Sequence, residues 1–253
     1  MRRIILISLA TGIGFFCNGV QAQKTFRALA FYSTNVERDH VDFAHDAIGY
    51  FSKLAKEKTF VFDSTTDWAN TNDTVLKKYD LVIWINEFPH NEQQRRAFEK
   101  FMNNGGGWLG FHVSGYNDKD THWPWFVDFL GGAVFYNNNW PPLPAKLNVD
   151  DPSHPIAKKI PSTFKAPINE WYQWKPSPRL NKNVKVLLTL DTSNYPIGKK
   201  DIIHSGDVPV VWTNTQYKML YMNMGHGDKI FTDPIQNRLL SNAILWMGSR
   251  VAH

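Results

Sequence analysis

The sequence of 253 residues predicts an α/β fold in which a mainly parallel sheet is covered by helices on both faces. Strand patterns alternate with helix patterns through the first half, as in βαβ units. The run from Leu81 to Asn86 is continuously apolar, which is typical of a strand buried on both faces of a parallel sheet. Three consecutive glycines from Gly105 then separate a helix pattern from the next strand. Ligands of such sheets bind where the strands end, so functional residues are expected there.

The elements of the first half follow from local patterns. A helix is expected from near His40 to Ala55, because its apolar residues recur at helical spacing. Asn91 is expected to cap a second long helix that ends at Gly105, and the fourth strand ends at His112. The remaining elements predicted in this half are strands at 26–32, 59–63 and 81–86 and a short helix at 72–78.

The second half is richer in strand patterns. Residues 121–132 are expected to form an aromatic helix with proline in its first turn and glycine at its end. A last helix is expected at 234–247, with apolar residues at helical spacing. The strands predicted between these helices are 145–149, 168–174, 184–190, 208–213 and 218–224.

The first 22 residues have the composition of a signal peptide. Two arginines precede an apolar run, and Val20-Gln21-Ala22 fits a cleavage site before Gln23. The apolar run is too short to favour a membrane span. We therefore expect a secreted or periplasmic protein with one domain, 23–253; lipid attachment at Cys17 is the less favoured alternative. Because Cys17 is the sole cysteine, the mature domain has no disulfide and no cysteine nucleophile.

The charge pattern argues against nucleic acid as a partner. Removing Arg2 and Arg3 with the leader lowers the formal net charge from +5 to +3, and the remaining lysines form no basic stripe. The ten tryptophans all lie in the mature part. Flat aromatic faces suit core packing first and sugar stacking second. The expected partner is a small carbohydrate, and the sequence does not specify the oligomeric state.

The fourth strand ends in Gly-x-His-x-Ser-Gly, which has the shape of a nucleophile elbow. In class I glutamine amidotransferases the residue raised at this turn is a cysteine, whereas here it is His112. Because no cysteine replaces it, glutaminase chemistry is excluded. Ser114 lacks the glycine two residues before it that a serine elbow requires, so an amidase-like hydrolase is a remote alternative.

This combination resembles the ThuA-like family of trehalose utilisation, in which Gly-x-His replaces Gly-x-Cys. The resemblance implies a flavodoxin-like three-layer sandwich, similar to the class I glutamine amidotransferases, and a role in sugar metabolism. The loops 33–39 and 137–142 depart from the family pattern at the expected mouth of the site. The identity of the sugar is therefore not inferred from the family. The other matching motifs are His40, Gly105-Gly106-Gly107, Leu130-Gly131-Gly132, Asp151-Pro152-Ser153-His154-Pro155-Ile156, Asn169-Glu170-Trp171-Tyr172, Gly225-His226 and Ala243-Ile244-Leu245-Trp246.

Three residues are predicted to be catalytic: His112, His226 and Glu170. His226 lies between two glycines just past a strand, where a ligand can approach closely. A carboxylate in the apolar segment around Glu170 needs a partner. Each has a structural alternative, such as a packed histidine bound to backbone, and His154 is expected to be structural. The predicted substrate-binding residues are His40, Asn86, Glu87, Tyr116, Trp123, Trp140 and Tyr172.

The predicted function is acid and base chemistry on a sugar or keto-sugar, giving isomerisation or glycoside cleavage. No cofactor is predicted. Zinc held by His112, His226, His40 and Glu170 is an alternative, although the spacing is long-range and no H-x-x-x-H pair supports it. A second alternative is a non-catalytic module that uses the same site and its aromatic rim to bind a sugar.

Overall fold

The computed structural model describes residues 25–118, 120–199 and 203–249, so the predicted leader lies outside the described residues. The described helices are α1 (Arg38–Lys58), α2 (Asp73–Leu76), α3 (Glu92–Asn103), α4 (Pro124–Phe129) and α5 (Pro234–Gly248). The described strands are β1 (Arg27–Phe31), β2 (Val61–Thr65), β3 (Leu81–Trp84), β4 (Gly107–Phe111), β5 (Phe135–Asn138), β6 (Leu143–Val149), β7 (Thr163–Asn169), β8 (Tyr172–Trp174), β9 (Val184–Leu190), β10 (Pro209–Asn214) and β11 (Lys218–Met222).

One sheet dominates the described part of the chain. Its nine strands lie in the order β2-β1-β3-β4-β11-β10-β9-β6-β7. The five strands from β2 to β11 are parallel to one another, and the four from β10 to β7 extend the sheet with antiparallel pairs. The expected α/β fold with a parallel sheet and extra strands in the C-terminal half is therefore confirmed.

The apolar core lies on both faces of the sheet, as the alternating side chains of β3 illustrate. Leu81 and Ile83 pack on one face with α1 and α5, whereas Val82 and Trp84 pack on the other with α3 and α4. Successive side chains of a strand point to opposite faces, so both layers are apolar only if the strand is apolar throughout. The tryptophan-rich layer lies on the second face, where Trp84 and Trp108 meet edge to face.

The helix ends follow from local chemistry. Asn91 and Gln94 form a capping box at the start of α3, as expected for a cap at Asn91. Asp233 accepts two backbone N–H groups at the start of α5, where Pro234 occupies the first turn. α1 ends at Thr59 in the left-handed conformation. Within the described ranges, no helix has both the length and the apolar character that crossing a membrane requires.

The prediction of a single continuous strand at 168–174 is wrong, because parts of two strands occupy this region. β7 ends at Asn169 and β8 begins at Tyr172, so Glu170 and Trp171 lie between them. β8 leaves the main sheet and pairs with β5, a short strand that the sequence pattern did not indicate. The break matters for function because it brings Glu170 to the ends of the parallel strands.

Candidate functional site

His112 lies at the end of the central strand β4, in a short 3₁₀ turn that spans His112–Gly115. Its φ of 45° is in the left-handed region, which costs a residue with a Cβ roughly 1–2 kcal/mol. The side chain is completely buried. Tyr221 of the neighbouring β11 donates a hydrogen bond from its hydroxyl to the His112 carbonyl oxygen at 2.9 Å. The strained turn is thus held in place by the adjacent parallel strand.

Two more histidines come to this point from distant parts of the chain. His40 lies in the first turn of α1, and His226 lies in the loop after β11. The ring centroid of His112 is 5.2 Å from that of His40 and 5.5 Å from that of His226. The rings of His40 and His226 are 5.1 Å apart. The structure therefore brings together three imidazoles that are separated by up to 186 residues in sequence.

Glu170 joins the three rings from the break between β7 and β8. Its Oε2 lies 3.2 Å from Nε2 of His112 and 3.5 Å from Nδ1 of His226. The Glu170 Oε1 accepts a hydrogen bond from the side-chain amide of Asn138. One ligand atom from each of the four residues lies within 4.8 Å of those of the other three. We call His40, His112, Glu170 and His226 the His-Glu cluster.

Burial governs the electrostatics of the cluster. Removal from water, together with the neighbouring imidazoles, lowers the pKa of His40 to about 3 and holds the pKa of His112 well below its usual value. Burial raises the pKa of Glu170, and nearby His226 and His40 oppose that rise. His40 and His112 are therefore neutral at pH 7, and each has one ring nitrogen with a free lone pair.

The His112 tautomer follows from its hydrogen bonds. Nδ1 lies 3.0 Å from the carbonyl oxygen of Asn223, which only accepts, so the ring proton is assigned to Nδ1. The lone pair of His112 then lies on Nε2 and faces the carboxyl group of Glu170. In the cluster, His40 Nε2 and both ring nitrogens of His226 are buried without a hydrogen-bond partner.

Two carboxylates border the cluster on the α1 side. Asp39 Oδ2 lies 3.0 Å from Nε2 of His226, and Glu37 Oε2 lies 3.5 Å from Nδ1 of His40. The Asp39 approach is close but is not a hydrogen bond, since His226 Nε2 has no partner in hydrogen-bond geometry. Both residues fall in the predicted loop 33–39, which the sequence placed at the expected mouth without giving either residue a role.

Sequence reasoning did not assign a role to Asn169 or to Asn223. Asn169 Oδ1 accepts the backbone N–H groups of Gly225 and His226, each at 3.1 Å. Its Nδ2 donates to the backbone carbonyls of Glu170 and Asn223. Asn169 therefore links the loops that carry two cluster members. A signal was present, because a polar residue next to Glu170 in an apolar segment needs buried partners.

The structure places the other predicted site residues in different environments. The Tyr172 ring lies 4.1 Å from that of His112, so it forms one wall of the cluster. Asn86 is buried and bonds the backbone of Ser33 and His40, which makes it a support for the helix that carries His40. The Glu87 carboxylate accepts the N–H of Phe88 and has no contact with the cluster in the described structure.

The three aromatic residues predicted to line the mouth also differ. Trp123 is buried in the core, where its indole stacks on Phe126 and donates to Glu99. Tyr116 packs on Phe135, and its hydroxyl bonds Asp118. Trp140 is 56% exposed, two residues from Asn138 and thus close in sequence to the Glu170 partner. Trp140 is therefore the most exposed aromatic residue of the three.

The chain matches one known protein family over most of its length. The sequence model of the ThuA family, described as trehalose utilisation, matches residues 27–247. A ThuA-like protein from Bacteroides uniformis ATCC 8492 is 51% identical, with a TM-score of 0.88 over 94% of this chain and 96% of that chain. Among curated proteins, none matches the sequence.

More distant structures share the fold alone. A ThuA-like protein from Parabacteroides merdae ATCC 43184 is 17% identical, with a TM-score of 0.64 over 91% of this chain and 92% of that chain. A protein from Thermoplasma acidophilum described as part of a GMP synthase is 10% identical, with a TM-score of 0.52 over 89% and 96% of the two chains. The protein thus shares an α/β sandwich fold with these structures, and His112 lies at the end of its central strand. The chain belongs to the ThuA family, and this membership supports a carbohydrate-related role.

Proposed function

We propose that the chain is an exported enzyme that moves a proton on a sugar or keto-sugar bound at the His-Glu cluster. The observation that carries the proposal is the convergence of three buried imidazoles and one carboxyl group at the carboxyl end of the parallel strands. Ligands of open α/β sheets bind at this end. The family match to trehalose utilisation gives the substrate class.

Accessibility divides the roles within the cluster. His112 is fully buried, and its Nδ1 is committed to a backbone carbonyl, so it is poorly placed to exchange protons with a substrate. The Glu170 side chain is 13% exposed, compared with 4% for His226. We therefore assign proton transfer to Glu170, and binding and polarisation of a sugar oxygen to His40, whose side chain is 12% exposed. The sequence predicted His112, His226 and Glu170 to be catalytic, and this assignment keeps Glu170 as the group that transfers the proton.

The reaction class follows from these groups. A carboxylate next to a polarised carbonyl can remove a proton from the neighbouring carbon, and the return of that proton elsewhere isomerises a keto-sugar. The same abstraction, followed by loss of the glycosidic oxygen, cleaves a keto-glycoside by elimination. Elimination needs one carboxylate as base, whereas ordinary glycosidases use two facing carboxylates.

Hydrogen exchange with solvent tests the proposal whatever the product is. The mature chain is incubated in D₂O with trehalose and with trehalose oxidised to a ketone at one ring carbon. NMR should show deuterium at the carbon next to the carbonyl, together with isomerised or cleaved sugar. Glu170→Gln should lower the rate by about 10²- to 10⁴-fold, the usual effect of losing a general base, while sugar affinity changes little.

The matched control is Glu92→Gln, which alters an 80% exposed carboxylate on α3 and should keep the wild-type rate. If neither exchange nor product forms, and sugar still binds, the protein is the non-catalytic module instead. Trp140→Ala should then weaken sugar binding, because Trp140 is the exposed aromatic residue near Asn138. Exchange that persists unchanged in Glu170→Gln would overturn the role of Glu170.

A further inference from the structure

We propose that the His-Glu cluster is a binding site for one divalent transition-metal cation, held by His40, His112 and His226 with Glu170 as the fourth donor. The inference deepens the proposed function, which it uses only for the identity of the substrate. The site combines imidazole nitrogens and a carboxylate oxygen, a donor set that suits Zn²⁺ and its neighbours in the first transition series.

The first argument is the number of unpaired lone pairs. His112 Nε2 and Glu170 Oε2 face each other at 3.2 Å. His40 Nε2 and His226 Nδ1 are buried without a hydrogen-bond partner. Buried polar atoms in folded proteins are almost always paired, so these orphans need an explanation. A cation at their centre would satisfy all four atoms at once.

The second argument is mutual geometry. The four donor atoms lie within 4.8 Å of one another, although they come from four separate parts of the chain. Two donors that are each about 2.0–2.2 Å from one tetrahedral metal ion are about 3.3–3.6 Å apart. Glu170 Oε2 already has this spacing, at 3.2 Å from Nε2 of His112 and 3.5 Å from Nδ1 of His226. Neutral imidazole is the form that binds metal.

The third argument concerns the groups that lie near the second ring nitrogen of each histidine, the one that would not bind the cation. Metal-bound histidines usually donate their second ring N–H to a carbonyl or carboxylate, which fixes the ring. His112 has this arrangement, since its Nδ1 bonds the Asn223 carbonyl oxygen. His226 presents Nδ1 to the cluster and Nε2 to Asp39 at 3.0 Å. Glu37 Oε2 lies 3.5 Å from Nδ1 of His40 and 3.9 Å from Nδ1 of His226. When bound, the cation would polarise the sugar oxygen in place of His40, and Glu170 would leave the cation to accept the substrate proton.

Direct metal binding tests the inference separately from catalysis. The mature chain is stripped with a chelator and titrated with Zn²⁺ by calorimetry and with Co²⁺ by visible absorption. We expect one cation per chain and a Co²⁺ spectrum typical of four or five nitrogen and oxygen ligands. His40→Ala, His112→Ala and His226→Ala should each weaken binding at least 100-fold. His45→Ala, an exposed histidine on the same helix as His40, should bind like the wild type.

Thermal unfolding of each variant shows whether it folds, and if fully buried His112 is not tolerated, His40→Ala and His226→Ala decide the question. Asp39→Asn should weaken binding by about 10- to 100-fold, as expected for a group behind a ligand. The inference is overturned if the stripped chain binds no cation, or if the cluster variants bind as tightly as His45→Ala. Full sugar turnover by stripped protein would refute a catalytic cation and leave the proposed function intact. Metal binding by a protein that shows no sugar turnover would support the cation site and contradict the proposed function.

Discussion

A single side chain, Asn169, joins the loops on which the His-Glu cluster depends. Its Oδ1 accepts two backbone N–H groups, those of Gly225 and His226, and both residues are buried. Leaving a buried donor without an acceptor costs about 1–3 kcal/mol for each group. We expect Asn169→Ala to lower the free energy of unfolding by about 2–4 kcal/mol and to misplace His226. Urea unfolding measures the first effect, and cation affinity measures the second.

Asn104→Ala is the control, because Asn104 is exposed at the end of α3 and should change stability by less than about 0.5 kcal/mol. A stable Asn169→Ala variant with unchanged cation affinity would show that other contacts hold the loop.

The sequence pointed to His112, His226 and Glu170 because each is a titratable residue among small or apolar neighbours. It did not reveal Asn169 as their common support, because that role depends on hydrogen bonds to residues more than 50 positions away.

At the scale of elements, the cluster depends on how closely the loop after β11 approaches the end of β4. Gly225 lies against His112, and a Cβ at position 225 would be 2.4 Å from the His112 Cβ. Gly225→Ala should therefore push the two elements apart, at a cost of about 1–3 kcal/mol in stability. The rate of sugar conversion should fall more steeply, because His112 is displaced from Glu170.

Gly49→Ala makes the same substitution where there is room. No heavy atom lies within 4 Å of the Cβ that it would add on α1. Alanine favours a helix over glycine by up to about 1 kcal/mol, so this variant should be slightly more stable and fully active. Thermal unfolding and the deuterium-exchange rate, measured on both variants, compare the two sites. Equal behaviour of Gly225→Ala and Gly49→Ala would mean that the contact at Gly225 is not restrictive.

The elements that the sequence predicted correctly are those with a strong local pattern. The long helices α1, α3 and α5 and the apolar strands β3 and β9 depend on periodicity and caps within one window. β5 and the break between β7 and β8 depend on distant partners instead. Asn139 accepts the N–H of Trp171 across 32 residues, and that bond lies at the break. Periodicity alone does not indicate which strands pair, so the antiparallel extension was not predicted in detail.

At the scale of the whole molecule, the parallel topology makes the site possible. Strands that run the same way all end at one edge of the sheet, so the ends of β4 and β11 are adjacent and bring His112 close to His226. The sequence predicted this edge, whereas the position of Glu170 depends on the unpredicted strand break. The convergence of four distant residues is thus a property of the complete sheet.

The complete sheet also limits where the predicted leader could be removed. β1 is an interior strand between β2 and β3, and Phe26 just before it stacks on Phe60 at 4.5 Å. Cleavage after Ala22 leaves this packing intact, since three residues still precede Phe26. We expect the chain released by cells to have the mass of residues 23–253.

Mass spectrometry of the released protein and of the membrane fraction distinguishes this outcome from lipid attachment. Cys17→Ala should leave release unchanged if cleavage follows Ala22, whereas it would free a membrane-held chain if Cys17 carried the lipid. Ala22→Leu replaces the small residue that the cleavage site requires and should block processing. A chain that stays in the cell at its full mass in the wild type would contradict export, and the sugar would then have to be an intracellular one.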